Sequence, residues 1–280
     1  MSVALSAKGA LLRFVVLLSA FLVGLAAADS LDYTRVSVVV VSNETGAINA
    51  QSTPVLKERT LQTLKSASYD RDWTVSSYLA SHPLVQRRLE RMNLTSERLG
   101  TKYLSDGTVS TQYEFPLTGS VLGLMLPVRS TPRLLGRVAC PCCGQPWPEG
   151  KELPAGVKPV PYETGSTTEY TGILIDAKGL DSRPALFPQV VTESGDDVFS
   201  ADFAKPEQVT QYGLVGYFHD RTQAMTADRM GPYPLMVRAL GVAGANSCDL
   251  VISQADAAKI HGSKSNLELL SRCRVGFLLD

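Results

Sequence analysis

The chain has 280 residues, 44% of them hydrophobic, and its 27 Lys and Arg balance 27 Asp and Glu. A formal charge of zero gives no electrostatic footprint for nucleic acid or for an acidic membrane surface, so both partner classes are set aside. The length allows one large or two small domains, and five cysteines, an odd number, leave at least one free, shared between chains or bound to metal.

Lys8 and Arg13 precede the apolar run Phe14 to Leu25, and Ala26-Ala27-Ala28 supplies small residues for cleavage before Asp29. Charged, apolar and small regions in that order make a secretory leader. The stretch from Leu11 to Ala28 is short for the ~20 apolar residues of a spanning helix. The expectation is a mature chain from Asp29, exported to a periplasmic or outer-membrane associated location, with no transmembrane span after cleavage. Asp29-Ser30 stand where an acylated lipoprotein would carry its cysteine.

In the mature chain Arg35 to Val41 reads as a strand. From Pro54 onward Val55, Leu56, Leu61 and Leu64 recur at helical spacing, with Thr53 as the cap and Pro54 at the first helical position. Pro83 to Met92 reads as a second helix, with Leu84, Val85, Leu89 and Met92 on its apolar side and Arg87, Arg88 and Arg91 on a solvated one. Thr101 to Ser105 and Thr108 to Phe115 flank Asp106-Gly107, a pair suited to a tight type I′ hairpin. Pro116-Leu117-Thr118-Gly119 then leads into the short apolar segment Val121 to Leu126.

A helical region, then a hairpin whose second strand ends in Phe115-Pro116-Leu117-Thr118-Gly119 before a short Leu-rich helix, resembles the bacterial family of small outer-membrane lipoproteins that includes flagellar-assembly lipoproteins. That resemblance runs over Pro54 to Leu126. Thr171 to Leu180, with Pro184-Ala185-Leu186-Phe187-Pro188, resembles a segment of exported proteins of unassigned function, and the likeness extends over Tyr170 to Asp280. Together they imply a non-catalytic envelope protein whose partners are envelope or assembly proteins, self-association included. No catalytic residue carries over.

Cys140-Pro141-Cys142-Cys143-Gly144 opens a connector rich in Pro and Gly. Cys140 and Cys143, spaced C-x-x-C with Pro after the first and Gly after the second, form the kind of knuckle that aims two thiolates at one metal in zinc ribbons. A second such pair is missing, so a structural zinc would draw on Cys142, on Cys248 and Cys273, or on one of His82, His219 and His261. The alternatives are a loop cystine or labile thiols in an oxidising compartment, and redox use, which belongs with a βαβ pattern. No cofactor besides that zinc is indicated.

Tyr170 to Ala177 reads as a buried strand stopped by Lys178-Gly179, and Gln189 to Thr192 with Asp197 to Ser200 as a hairpin. Pro206 starts a helical region drawn through Tyr217-Phe218 and on to Met230. Tyr212, Tyr217, Phe218 and Tyr233 either line a pocket or pack a core. His219 beside Asp220 invites a catalytic reading, although neighbours on a helix point apart. Pro234 to Leu240 is a strand. Asp249 to Ile252, a helix capped by Ser253 with Asp256, and Arg274 to Leu279 suggest a βαβ unit. Cys248 and Cys273 precede its two strands; parallel neighbours about 4.8 Å apart would bring them within disulfide reach. Capping and turn roles account for Ser253, Asp256, Gly241 and Gly244 without a catalytic or nucleotide-binding one.

The expected architecture is α+β (mixed α/β): a leader over 1–28, an N-terminal helix-plus-hairpin domain over 29–135, a Cys/Pro-rich connector over 136–166, and a C-terminal domain over 167–280 with a mixed sheet and a βαβ unit. The expected role is a structural or assembly component of the cell envelope, flagellum-associated through the resemblance alone. The other reading is a periplasmic metal- or small-ligand-binding module built on the cysteine knuckle.

Overall fold

Val38 and Val40, both fully buried, point from one strand into the core while Val39 between them points the other way, the period-2 alternation of a half-covered sheet. The computed structural model describes residues 28–44, 52–135, 138–148, 151–158, 160–162 and 168–280. All but Ala28 of the expected leader, and the side chain of Thr53 as a cap, lie outside the described residues.

The first half contains β1 (Ser30–Asp32), β2 (Ser37–Glu44), α1 (Ser52–Lys65), α2 (Val75–Ser81), α3 (Pro83–Arg91), β3 (Glu97–Tyr103), β4 (Val109–Pro116) and α4 (Ser120–Leu124). Its sheet is antiparallel throughout, in the order β1-β2-β4-β3. Helix α1 lays Leu56, Thr60 and Leu64, spaced four apart, on the core, one stripe of a 3.6-residue period. Val55 falls off that stripe and is exposed. In α3 Leu89 is buried, but Leu84 is 72% exposed, so the apolar side is narrower than the sequence suggests. A reciprocal Thr74–Ser77 capping box starts α2.

The connector holds β5 (Val138–Ala139) and β6 (Val160–Pro161), paired antiparallel. The second half follows with β7 (Ile173–Asp176), β8 (Val190–Thr192), β9 (Asp197–Phe199), α5 (Pro206–Tyr212), β10 (Gly216–Phe218), α6 (Arg221–Thr226), β11 (Leu235–Arg238), β12 (Gly241–Ala243), β13 (Asp249–Ile252), α7 (Gln254–His261), α8 (Lys264–Ser271) and β14 (Val275–Leu278). Two four-stranded sheets result. One, β10-β14-β7-β11, is parallel throughout; the other, β12-β13-β8-β9, is mixed. The parallel sheet is covered on both faces: Ile173 and Ile175 join the main core, while Leu174 meets Phe218, Ala224 and Met230 on the other side. Burial on both faces is why β7 reads as an unbroken apolar run.

The α+β class stands as the sequence indicates, and parallel pairing is present, though between other strands than expected. β10 and β14 are parallel neighbours, and the chain between them passes through α6, α7 and α8. The strands joined by the Ser253-capped helix, however, lie in different sheets: β13 beside β8, β14 between β10 and β7. Tyr217-Phe218 is likewise not helical. Gly213, at φ +78°, ends α5, and the buried residues after it form β10.

The two halves share one continuous apolar cluster. Leu186 and Phe187 donate their N–H groups to the carbonyls of Ser68 and Tyr69 at 3.0 and 2.8 Å, and Gly119 donates to the Thr210 carbonyl at 2.6 Å. Asn246 Nδ2 reaches the carbonyls of Asp70 and Trp73 at 2.7 and 2.9 Å. A Cβ on Gly244 would stand 2.6 Å from Arg71 Cβ and from the Arg71 carbonyl oxygen, so that contact requires glycine.

Candidate ligand cleft and cysteine turn

Three parallel strands deliver their carboxyl ends to one place. β7 leaves through Ala177 to Leu180, β10 is followed by His219 and β14 by Leu279-Asp280. Across these ends lie β1 and the turn Asp32 to Thr34, enclosing a cleft of about 540 Å³. The crevice outside the carboxyl ends of parallel strands is where open α/β sheets receive ligands.

Its polar lining is built from both halves: Asp32 and Thr34 on one side, Asp181, Ser182, His219 and Asp280 on the other. Asp32 Oδ1 accepts the N–H groups of Thr34 and Arg35 at 2.9 and 3.1 Å, which fixes the turn. The Asp280 carboxylate accepts the Gly179 N–H at 3.0 and 3.2 Å. His219 Nδ1 lies 2.9 Å from the Asp280 carbonyl; a carbonyl only accepts, so Nδ1 carries a proton there. The Ser182 hydroxyl is buried without a partner among the described residues. Tyr33 and Tyr217 meet edge-on at 5.7 Å at the base of the cleft. The Tyr217 hydroxyl donates to the Ala185 carbonyl at 2.8 Å and accepts the Ala185 N–H at 2.9 Å. Burial raises its pKa well above the usual phenol range and pushes that of Tyr33 up to about 12. Asp220 is no partner for His219: its Oδ1 caps α6 by accepting the Gln223 N–H at 2.7 Å.

In the connector Cys140 N–H donates to the Gln145 carbonyl at 2.7 Å, and Gly144 N–H donates back to the Cys140 carbonyl at 2.8 Å. Gly144 sits at φ +73°, which a residue with a Cβ takes at a cost. The chain therefore folds around Cys140, and backbone hydrogen bonding by Cys143 and then Cys142 holds its pKa below that of an ordinary thiol. Cys140 is half-buried; Cys142 and Cys143 are exposed. Among the described residues no three His, Cys, Asp or Glu side chains gather as a metal site.

The other candidate ligands stand elsewhere. His82 Nδ1 bonds the Tyr78 carbonyl at 2.8 Å. His261 is buried, its Nδ1 accepting the Leu135 N–H at 2.9 Å and its Nε2 facing the Val198 carbonyl at 2.8 Å; burial lowers its pKa. Cys248 and Cys273 are both buried and both free, against the expected disulfide. The reason is topological, since α7 and α8 carry the chain from one sheet to the other rather than to a neighbouring strand. Cys273 closes α8 at φ +55°, with its N–H on the Leu270 carbonyl and that of Arg274 on the Leu269 carbonyl, a position usually filled by glycine. Burial pushes its thiol up to about 12, and raises that of Cys248 as well.

Sequence reasoning passed over Asp249, whose side chain is fully buried at the head of β13. Its Oδ1 accepts the Gln189 N–H at 2.8 Å, while its Oδ2 lies 3.7 Å from Arg71 Nε without a hydrogen bond. Burial pushes Asp249 up to about 6, and Asp197, which accepts the Ser200 hydroxyl at 2.6 Å, also to about 6. A carboxylate just ahead of the buried run Leu250-Val251-Ile252 was the available signal.

The fold and site define an α+β protein with a cleft of mixed polar and apolar lining at the carboxyl ends of a parallel sheet. Residues 172–280, which span β7 to β14, match the family model described as Treponema pallidum Tp0624, second domain. The match supports neither the small-lipoprotein nor the flagellar resemblance of the first half. Among curated proteins no match is found. No helix of the described residues is long and apolar enough to cross a membrane.

Proposed function

We propose that this is an exported, non-catalytic component of the cell envelope, periplasmic or outer-membrane associated, that works by holding a ligand or a segment of an assembly partner in the cleft. The observation that carries the reading is the origin of the cleft walls, Ser30 to Thr34 from one half and the ends of β7, β10 and β14 from the other. The polar groups there, Asp32, His219 and Asp280, are held in place by local hydrogen bonds, a preorganised arrangement that favours binding. The leader pattern before Asp29 supports export. A flagellar assignment draws on the resemblance of Pro54 to Leu126 alone.

A photo-cross-linking residue in place of Asp181, at the exposed lip of the cleft, tests this in cells. The expected result is an adduct of defined mass in the envelope fraction that is missing when the probe replaces exposed Leu84 on α3. Equal labelling from both positions, or from a cytoplasmic pool only, would overturn it.

A second reading, favoured by the fold of the chain around Cys140, is a metal-binding module built on Cys140 and Cys143. Elemental analysis of protein prepared under reducing conditions separates the two.

A further inference from the structure

We propose that the Cys140–Cys143 turn is half of a zinc site, and that a second copy of this chain supplies the other half. The inference rests on the reading of this turn as a metal-binding one. Structural zinc takes four thiolate or imidazole ligands in a tetrahedron, with Zn–S distances of about 2.3 Å. The chain has five cysteines and three histidines, and all eight are among the described residues. Cys248 and Cys273 are buried in the second half, His261 has both ring nitrogens engaged, His219 faces the cleft, and His82 stacks on Tyr78 with Nδ1 on the Tyr78 carbonyl. No third ligand gathers with Cys140 and Cys143.

The turn nevertheless has the construction of a metal knuckle. Gly144 at φ +73° reverses the chain, Gly144 N–H bonds the Cys140 carbonyl at 2.8 Å, and Cys140 N–H bonds the Gln145 carbonyl at 2.7 Å. The β5–β6 pair and the Ala139–Pro146 bridge fix its base. Residues 141–146 are all exposed, so the turn stands clear of its own protomer. A two-fold axis through the metal would bring Cys140 and Cys143 of each copy to one zinc, the self-complementary geometry of a symmetric dimer. Cys142, between the two ligands, is left outside the tetrahedron.

The test uses mature protein prepared under reducing conditions and loaded with zinc alone. Zinc content is measured together with mass in solution, before and after a chelator, and Co²⁺ is substituted to read the ligand set. One zinc per two chains, a dimer that the chelator converts to monomer, and a tetrathiolate cobalt spectrum are expected. Cys140→Ser and Cys143→Ser should each lose both metal and dimer with unchanged circular dichroism, while Cys142→Ser keeps both. One zinc per monomer would overturn the sharing but leave a metal turn standing. No zinc uptake would overturn both. A dimer that survives chelation, or a cobalt spectrum with fewer than four thiolates, would also refute the shared site.

Discussion

Arg71 Nε lies 3.7 Å from Asp249 Oδ2, an ion pair just beyond hydrogen-bond reach that joins the loop after α1 to the first residue of β13. Burial outweighs the guanidinium, so the Asp249 carboxyl titrates near 6 rather than near the ordinary value of about 3.9.

A carboxyl whose pKa rises on folding adds stability that is full below its unfolded value and is lost as pH climbs through its folded one. Asp249 therefore favours the folded chain at pH 4–5 over pH 7, by about 2 kcal/mol. His261, depressed by burial, acts in the opposite direction, losing stability as pH falls below its unfolded value. Comparing wild type with Asp249→Asn isolates the aspartate. Urea denaturation at pH 5 and pH 7 should show the wild-type-minus-variant stability difference falling between the two; a difference independent of pH would contradict the buried carboxyl.

Gly244→Ala should weaken the contact between the two halves. Its φ of +83° disfavours a Cβ, and the new methyl would meet Arg71 backbone at 2.6 Å, a combined cost of about 2–4 kcal/mol. Gly107→Ala has the same φ with open space around it, so its cost should stop at about 1–2 kcal/mol. Denaturation midpoints of the two variants measure the difference, and equal losses would count against the contact.

Tyr217→Phe leaves both polar groups of buried Ala185 without their partner. The expected loss is about 1–3 kcal/mol, read by chemical denaturation. A variant as stable as wild type would mean the hydroxyl is not shared with Ala185.

Thiol labelling of reduced, folded protein should show fast reaction at exposed Cys142 and Cys143 and none at buried Cys248 and Cys273 until the chain unfolds. The raised pKa values of the buried pair slow them further, because the thiolate is the reactive form. Peptide mapping that finds Cys248 joined to Cys273 would restore the disulfide and refute the two-sheet arrangement.

Elements that declare themselves locally were legible in the sequence: the apolar β7 before Gly179, the β8–β9 hairpin, and α7 behind Ser253. The hairpin at Asp106-Gly107 was legible in place but not in type. Of the two residues only Gly107 has positive φ, and its N–H bonds the Leu104 carbonyl, so the loop is a type I turn closed by glycine rather than type I′. β10 was hidden because Leu214 to Phe218 continues an apolar pattern that period alone cannot separate from helix. The cleft was beyond reach, since Asp32, Asp181, His219 and Asp280 meet only through sheet order. The same limit misled the pairing of Cys248 with Cys273: their strands were visible, but the sheet each joins was not.

Intact-mass measurement of the protein in fractionated cells reads export and leader cleavage together. The expected result is an envelope or periplasmic fraction holding a chain that begins at Asp29, without added acyl mass. A chain retaining Lys8 to Phe14 and confined to the cytoplasm would contradict it.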